Sequence, residues 1–337
     1  MMMNQMILLK NRPHGWPDKD TFEVKDAPVG KPEEGQVVVR SIYLSVDPYM
    51  RGRMNDTKSY VPPYKLGEAI SGGVVGEVVE SRSELFRVGD KVLGMLGWQL
   101  YNVVDAKTLR KIDGESAPLS AYLSVIGLTG LTAYFGLMDI GRPKAGETVV
   151  VSGAAGAVGM IVGQIAKIHG ARVVGIAGSD DKTQFLTKEL GFDAAVNYKT
   201  ADLKLALEQA CPQGVDVYFD NVGGDISDAV MSLLNDHARI PLCGAISSYN
   251  MEEGSDVGPR ILTKLIKTRS MIKGFVLGDY ADRLQEGMEH LKQWLSEGKL
   301  KYEETVMEGF DRVPEAFVEL FKGKNIGKML VKVSPTE

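Results

Sequence analysis

The stretch that most constrains this chain is Val149-Val-Val-Ser-Gly153-Ala-Ala-Gly156-Ala-Val-Gly159. Its β-branched start reads as a buried strand and its small residues as a tight turn. The apolar spacing of Val158, Ile161, Val162, Ile165 and Ala166 reads as the helix that follows, stopped by Gly170. A strand that enters a helix through small residues lets the main chain approach a pyrophosphate, whose charge the first-turn amides and the helix dipole stabilise. Glycines at a helix start also serve close packing, so context decides. A second strand follows at the distance expected of a dinucleotide-binding unit.

The rest of the chain extends that unit. Segments 172–177, 194–197, 215–219, 239–243 and 271–276 read as strands, with helical stretches at 180–190 and between most of the others. This alternation implies a parallel sheet covered on both faces. Before it, segments 36–45, 72–80 and 89–104 are rich in β-branched residues and bounded by turn formers, as in a mainly antiparallel β-domain. After Asp279 come a helix at 281–296 ended by Gly298, a strand near 302–306, a helix after Pro314 and a strand at 329–333. These small strands resemble the N-terminal part, so the tail is expected to fold back onto it. The expected fold is α/β, with a Rossmann doubly wound parallel sheet at 127–279 inserted in a β-rich catalytic domain of 1–126 and 280–337. The active site is expected in the cleft between the lobes.

Bulk properties narrow the function. A chain of 337 residues accommodates two cores. A net charge of -5 argues against nucleic acid or an anionic membrane as partner. No apolar run approaches the roughly 18 residues of a membrane span. The patch Met6-Ile7-Leu8-Leu9 has neither a basic leader nor a cleavage site, and is not read as a signal peptide. Cys211 and Cys243 cannot form a disulfide framework, so the cytoplasm is the expected compartment.

The end of the second strand bears on which dinucleotide is held. NAD enzymes usually place an acidic side chain there for the ribose hydroxyls. Here the tip is Ala177-Gly178-Ser179, followed by Asp180, Asp181 and Lys182. Gly178 leaves room for a phosphate that Ser179 and Lys182 can donate to, which points to NADPH. The plainer reading has Ser179 or Asp180 capping the next helix and Lys182 as a solvated charge, and both readings can hold together. No zinc site is expected, because His14, His169, His237, His290 and the two cysteines lack metal spacing. Without a Lewis acid, hydride transfer to a carbon–carbon double bond conjugated to a carbonyl is the natural chemistry, since hydrogen bonds can stabilise the resulting enolate.

Further motifs converge on a family. Phe86-Arg-Val-Gly-Asp-Lys-Val-Leu-Gly94, Gly130-Leu-Thr-Ala-Tyr-Phe-Gly136, the Gly153 loop and Asp220-Asn-Val-Gly-Gly224 resemble the zinc-free branch of the medium-chain dehydrogenase/reductase superfamily. Asp47-Pro-Tyr-Met-Arg51, Cys243-Gly-Ala-Ile-Ser-Ser-Tyr-Asn250 and Gly323-Lys-Asn-Ile-Gly-Lys328 are similar to the prostaglandin reductase (leukotriene dehydrogenase) group. Met50-Arg-Gly-Arg-Met54 and the Arg12-Pro-His-Gly15 opening resemble its bacterial curcumin-reductase-like members. The resemblance implies a GroES-like catalytic domain and an NADPH-dependent 2-alkenal or enone reductase. It implies a pyrophosphate loop of Ala154, Ala155, Gly156, Ala157 and Val158, with Lys182 and Tyr198 on the adenosine 2′-phosphate. It further implies that Asn221, Cys243, Gly244, Ala245, Ile246, Ser247, Ser248, Tyr249, Phe275, Val276, Leu277 and Asn325 line the remaining cofactor path. Two departures stand out: Lys267 occupies the place of a tyrosine in some mammalian members, and Gly153 replaces a common alanine.

Enone reduction needs a donor to the carbonyl oxygen, and a phenol of pKa about 10 stays neutral for that task. Tyr49, in the Asp-Pro-Tyr turn, and Tyr249, in a loop after a Rossmann strand, are the catalytic candidates, against the alternative that both only pack against the cleft. Tyr60 and Tyr64 beside Pro62-Pro63 are weaker ones. Arg51 and Arg53 read as structural ion-pair formers, and Met50 and Met54 as core filling with an option to line a pocket. The expected partners are a small apolar enone or enal and a second copy of the chain. A quinone oxidoreductase and an NADPH-binding protein without turnover are the competing readings.

Overall fold

The computed structural model describes residues 2–336. By its internal contacts the chain forms two units, the first reaching Leu123 and resuming at Glu304–Asn325 and from Met329, the second Ser124–Glu303 with Ile326–Lys328. The first stretch contributes β1 (Met3–Leu9), β2 (Phe22–Pro28), β3 (Gln36–Ser45), α1 (Tyr49–Arg53), β4 (Ser71–Ser81), β5 (Lys91–Gly97), β6 (Tyr101–Asp105) and β7 (Arg110–Lys111). There follow α2 (Leu128–Phe135), β8 (Thr148–Ser152), α3 (Gly159–Ile168), β9 (Arg172–Ala177), α4 (Asp180–Lys188) and β10 (Ala194–Asn197). Then come α5 (Leu203–Ala210), β11 (Val215–Phe219), α6 (Gly224–Met231), β12 (Leu234–Leu242), α7 (Leu262–Thr268), β13 (Met271–Gly274) and α8 (Leu284–Ser296). The tail supplies β14 (Glu304–Glu308), α9 (Val313–Phe321) and β15 (Lys328–Lys332).

In the first unit the sheet order is β14-β15-β3-β4-β5-β7, with β6 also on β3, so the tail does complete the N-terminal sheet. Val37, Val39, Leu44, Val74 and Val92 are buried with Trp98 and Phe317, whose rings meet edge-on at 5.9 Å. The hairpin β1–β2 was hidden in sequence because β2 (FEVKDAP) is almost wholly exposed and carries charge rather than apolar alternation. The run 89–104 is not one strand. It breaks at Trp98, whose amide donates to Ile70 O (2.6 Å) and whose carbonyl accepts from Ile7 N (2.9 Å).

The second unit holds a six-stranded sheet in the order β10-β9-β8-β11-β12-β13, parallel at every step. This is the doubly wound Rossmann arrangement, with its crossover between β8 and β11. Every residue of β8 is buried, as the central strand of a two-faced parallel sheet requires. β13 is an edge. Residues 280–303, grouped with the catalytic domain from sequence, lie in this second unit. The physical reason is a seam between α2 and α8: Tyr134 stacks on His290 at 5.4 Å, its hydroxyl donates to Glu286 (3.1 Å), and Arg283 pairs with Asp139 (2.6 Å). Helical periodicity does not reveal such contacts.

Candidate active site

The glycine-rich turn lies between β8 and α3. α3 begins at Gly159, and its N-cap residue Val158 supplies no side-chain cap. Ala154 and Ala155 are buried, while Gly156, Ala157 and Val158 form the accessible lip. Gly159 is required for closeness: a Cβ there would sit 2.3 Å from Gly153 O and 2.8 Å from Ala154 Cα. The loop is further held by Gly327 N donating to Ala155 O at 2.8 Å. Such an uncapped, tightly turned helix start fits a pyrophosphate.

At the tip of β9 the capping reading of Ser179 holds, since its Oγ accepts from Lys182 N at 3.3 Å, yet its hydroxyl proton remains free to donate elsewhere. Asp180 Oδ1 accepts from Asn197 Nδ2 at 2.8 Å. A Cβ on Gly178 would lie 3.1 Å from Tyr198 Cε1, 3.2 Å from its Oη and 3.3 Å from Lys199 Cε. Burial, and then the charge of Lys199, pull the pKa of Lys182 below the ordinary lysine value. Two cations and a phenol beside a bare glycine suit a phosphate. Lys199 escaped notice in sequence because it sits in a polar turn past the short strand β10.

The ends of β11 and β12 are tied together. Asn221 donates its side-chain amide to Ser152 O (2.8 Å) and its main-chain amide to Ser152 Oγ (2.9 Å). The segment 243–249 bonds back to the turn after β11: Cys243 N and Gly244 N to Asp220 O, Ile246 N to Asn221 O, Ser247 N to Val222 O. Tyr249 Oη accepts from Ala245 N at 3.1 Å, and burial raises its pKa, so its proton stays available at neutral pH. Ser248 Oγ turns inward to Ala245 O (3.0 Å). Burial and then Asp220 push the Cys243 thiol up to about 12, making it an inert neighbour. Phe275 packs its ring edge-on against Phe219 at 6.3 Å, Val276 N donates to Asp279 Oδ2 (3.4 Å), and Leu277 opens a short 3₁₀ turn.

Tyr49 and Asn325 belong to the first unit. Tyr49 opens α1, and burial followed by Asp47 raises its pKa, keeping it a neutral donor. Tyr64 is spoken for, its hydroxyl donating to Ser71 O (2.5 Å) beneath the Arg53 guanidinium, 3.9 Å from the ring centroid. Tyr60 is exposed. Arg51 and Arg53 are structural, reaching main-chain carbonyls: Arg51 donates to Gly15 O (2.9 Å) and Pro13 O (3.1 Å), Arg53 to Pro62 O (3.0 Å). Met50 and Met54 are fully buried in the core, and Asn325 is buried too. Among the described residues no three His, Cys, Asp or Glu side chains gather as a metal-holding set, and no helix is long and apolar enough to cross a membrane.

Residues 5–112 match the family described as the N-terminal domain of oxidoreductase, and residues 157–293 the family described as zinc-binding dehydrogenase. The chain is 62% identical over 332 residues to YfmJ of Bacillus subtilis, named provisionally as an NADP-dependent oxidoreductase, covering 98% of each. It is 44% identical to the NADPH-dependent curcumin reductase of Escherichia coli, covering 98% of this chain and 97% of that one. CurA from Vibrio vulnificus, solved in complex with NADPH, superposes with a TM-score of 0.94 at 43% identity, covering 98% of this chain and 99% of that one. With its two-unit fold and the Gly153, Asp220 and Cys243 motifs, the chain belongs to the zinc-independent medium-chain dehydrogenase/reductases, in the prostaglandin reductase group with the bacterial curcumin-reductase-like enzymes.

Proposed function

We propose that this chain is an NADPH-dependent reductase of carbon–carbon double bonds conjugated to a ketone or aldehyde, a 2-alkenal or enone reductase. The observation that carries the reading is the full-length likeness to an NADPH-dependent curcumin reductase. The phosphate-suited tip at Gly178 and the neutral tyrosine hydroxyls support it. NADPH supplies a hydride from its nicotinamide ring. The turn of Ala154, Ala155, Gly156, Ala157 and Val158, with the α3 dipole, holds the pyrophosphate. Ser179, Lys182 and Tyr198 hold the 2′-phosphate. Asn221, the loop from Cys243 to Tyr249 (Gly244, Ala245, Ile246, Ser247 and Ser248 between them), Phe275, Val276, Leu277 and Asn325 line the remainder.

The chain's own chemical task is to accept negative charge on the substrate oxygen. A neutral phenol, Tyr249 or Tyr49, donates a hydrogen bond that strengthens as the enolate forms. Solvent then supplies the proton to the α-carbon. A homodimer and a cytoplasmic location complete the reading. The dimer is supported by the open edge of β13 and by Val257, Leu262 and Ile266 of the same unit, which are 82%, 71% and 76% exposed. Light scattering at two times the chain mass supports it, and a monomer at micromolar concentration ends it.

The test of function is NADPH consumption across alkenals, enones, dienones and quinones, with products identified by mass. Saturated carbonyl products from enals and enones are expected. Turnover of quinones alone would assign the chain to quinone reduction, and tight NADPH binding with no turnover on any class would make it a binding protein.

A further inference from the structure

Asp220 follows β11 and is 1% exposed. Its Oδ1 accepts from Ser152 Oγ (3.0 Å), Tyr218 Oη (2.9 Å), Val222 N (2.9 Å) and Gly223 N (2.9 Å), and its Oδ2 from Ser227 Oγ (2.9 Å). Five polar groups thus converge on one buried side chain, whose two oxygens act as their acceptors. The donors come from separate places: the end of β8 at the root of the glycine-rich turn, β11 itself, the turn after β11, and α6. The turn passes through Gly223 and Gly224 at φ of 73° and 55°, a left-handed path that the carboxylate anchors through two consecutive amides.

The anchored turn in turn holds the next loop. The carbonyls of Asp220, Asn221 and Val222 accept from Cys243, Gly244, Ile246 and Ser247, and Ser247 Oγ adds a 2.6 Å bond to Val222 O. That loop closes on itself through Ala245 N and Tyr249 Oη. A path of hydrogen bonds and short main-chain links therefore runs from the carboxylate to the tyrosine hydroxyl.

We infer that Asp220 is a positioning residue, a buried brace that fixes the turn after β11 and the loop after β12 so that the Tyr249 hydroxyl and the nicotinamide-side wall stand in register for hydride transfer. The inference rests on the cofactor and tyrosine assignments proposed above. It assigns Asp220 no contact with substrate. Its effect is on geometry at the reacting end, while affinity for the dinucleotide is set mainly at the phosphates.

The test compares the full chain with Asp220→Asn, which keeps volume and one acceptor but removes the charge. Three quantities are read: the dissociation constant for NADPH, the fluorescence of bound NADPH, and the single-turnover rate with trans-2-hexenal. The expected result is a rate about 10- to 100-fold lower, since small misplacements at the reacting centre are that costly. The bound NADPH emission should move toward that of the free cofactor, with the dissociation constant within about threefold. Ser227→Ala, which removes one donor and spares the carboxylate, should shift both signals the same way by less, and serves if Asp220→Asn does not fold. Unchanged rate and emission overturn the inference, as does a loss in which rate and affinity fall by the same factor alongside the melting temperature. Repeating the pair in a Tyr249→Phe background separates the two readings: a much smaller effect there supports action through Tyr249. If Tyr249→Phe is silent while Asp220→Asn still moves the NADPH emission, the brace stands and the tyrosine assignment falls.

Discussion

Replacing Lys182 by Ala should convert a cofactor preference into near indifference. The Lys182 ammonium is already partly withdrawn from water and already next to Lys199, so the penalty of placing it there is met on folding. What a 2′-phosphate gains from it is close to a charge-assisted hydrogen bond, about 1.5–3 kcal/mol. At about 1.4 kcal/mol per decade, the variant should bind NADPH roughly 10- to 150-fold more weakly. NADH has no phosphate there and should change by less than about twofold. The pH dependence follows with the same sign. Because burial and Lys199 depress the Lys182 pKa, NADPH affinity is highest where that group is charged. It falls as pH rises through a range lower than an ordinary lysine would give, while NADH affinity stays flat. Fluorescence titrations of both dinucleotides, on both proteins and across alkaline pH, measure all of this. Equal losses for NADPH and NADH in Lys182→Ala would refute the reasoning, because they would report a disturbed loop and not a missing charge.

Gly159→Ala places a Cβ against main-chain atoms at 2.3 and 2.8 Å, so it should cost about 1–3 kcal/mol of stability and weaken NADPH and NADH alike, checked by denaturant unfolding and titration. Tyr249→Phe and Tyr49→Phe should separate by role: the true oxyanion donor loses about 10²–10³ in kcat with little change in KM, and the other tyrosine neither. Prolonged chelation should leave turnover unchanged and elemental analysis should find no stoichiometric zinc; one required zinc per chain would contradict the zinc-independent assignment.

Much of the fold was legible because parallel strands between helices write themselves as apolar runs. β8, β9, β10 and β11 sit where 149–151, 172–177, 194–197 and 215–219 placed them. What escaped was structure whose signal is not apolar periodicity. β2 is charged, the break at Trp98 depends on strands distant in sequence, and the α2–α8 seam depends on aromatic and ionic contacts. The same limit applied at the site. Ser179 and Lys182 stood in a readable strand-end motif and Tyr198 came through the family resemblance, whereas Lys199 was marked by neither. Asp220 was visible only as part of a family motif, because a single acidic residue after a strand gives no sign that five donors from four places will converge on it.

The central claim is that reduction occurs at the conjugated carbon–carbon bond. Turnover of an enone with NADPH deuterated at nicotinamide C4, and separately in deuterated water, tests it most directly by product NMR. The account predicts a saturated ketone with cofactor-derived deuterium on the β-carbon and solvent-derived deuterium on the α-carbon. Cofactor-derived deuterium on the carbinol carbon of an allylic alcohol would instead make the enzyme a carbonyl reductase and contradict the mechanism.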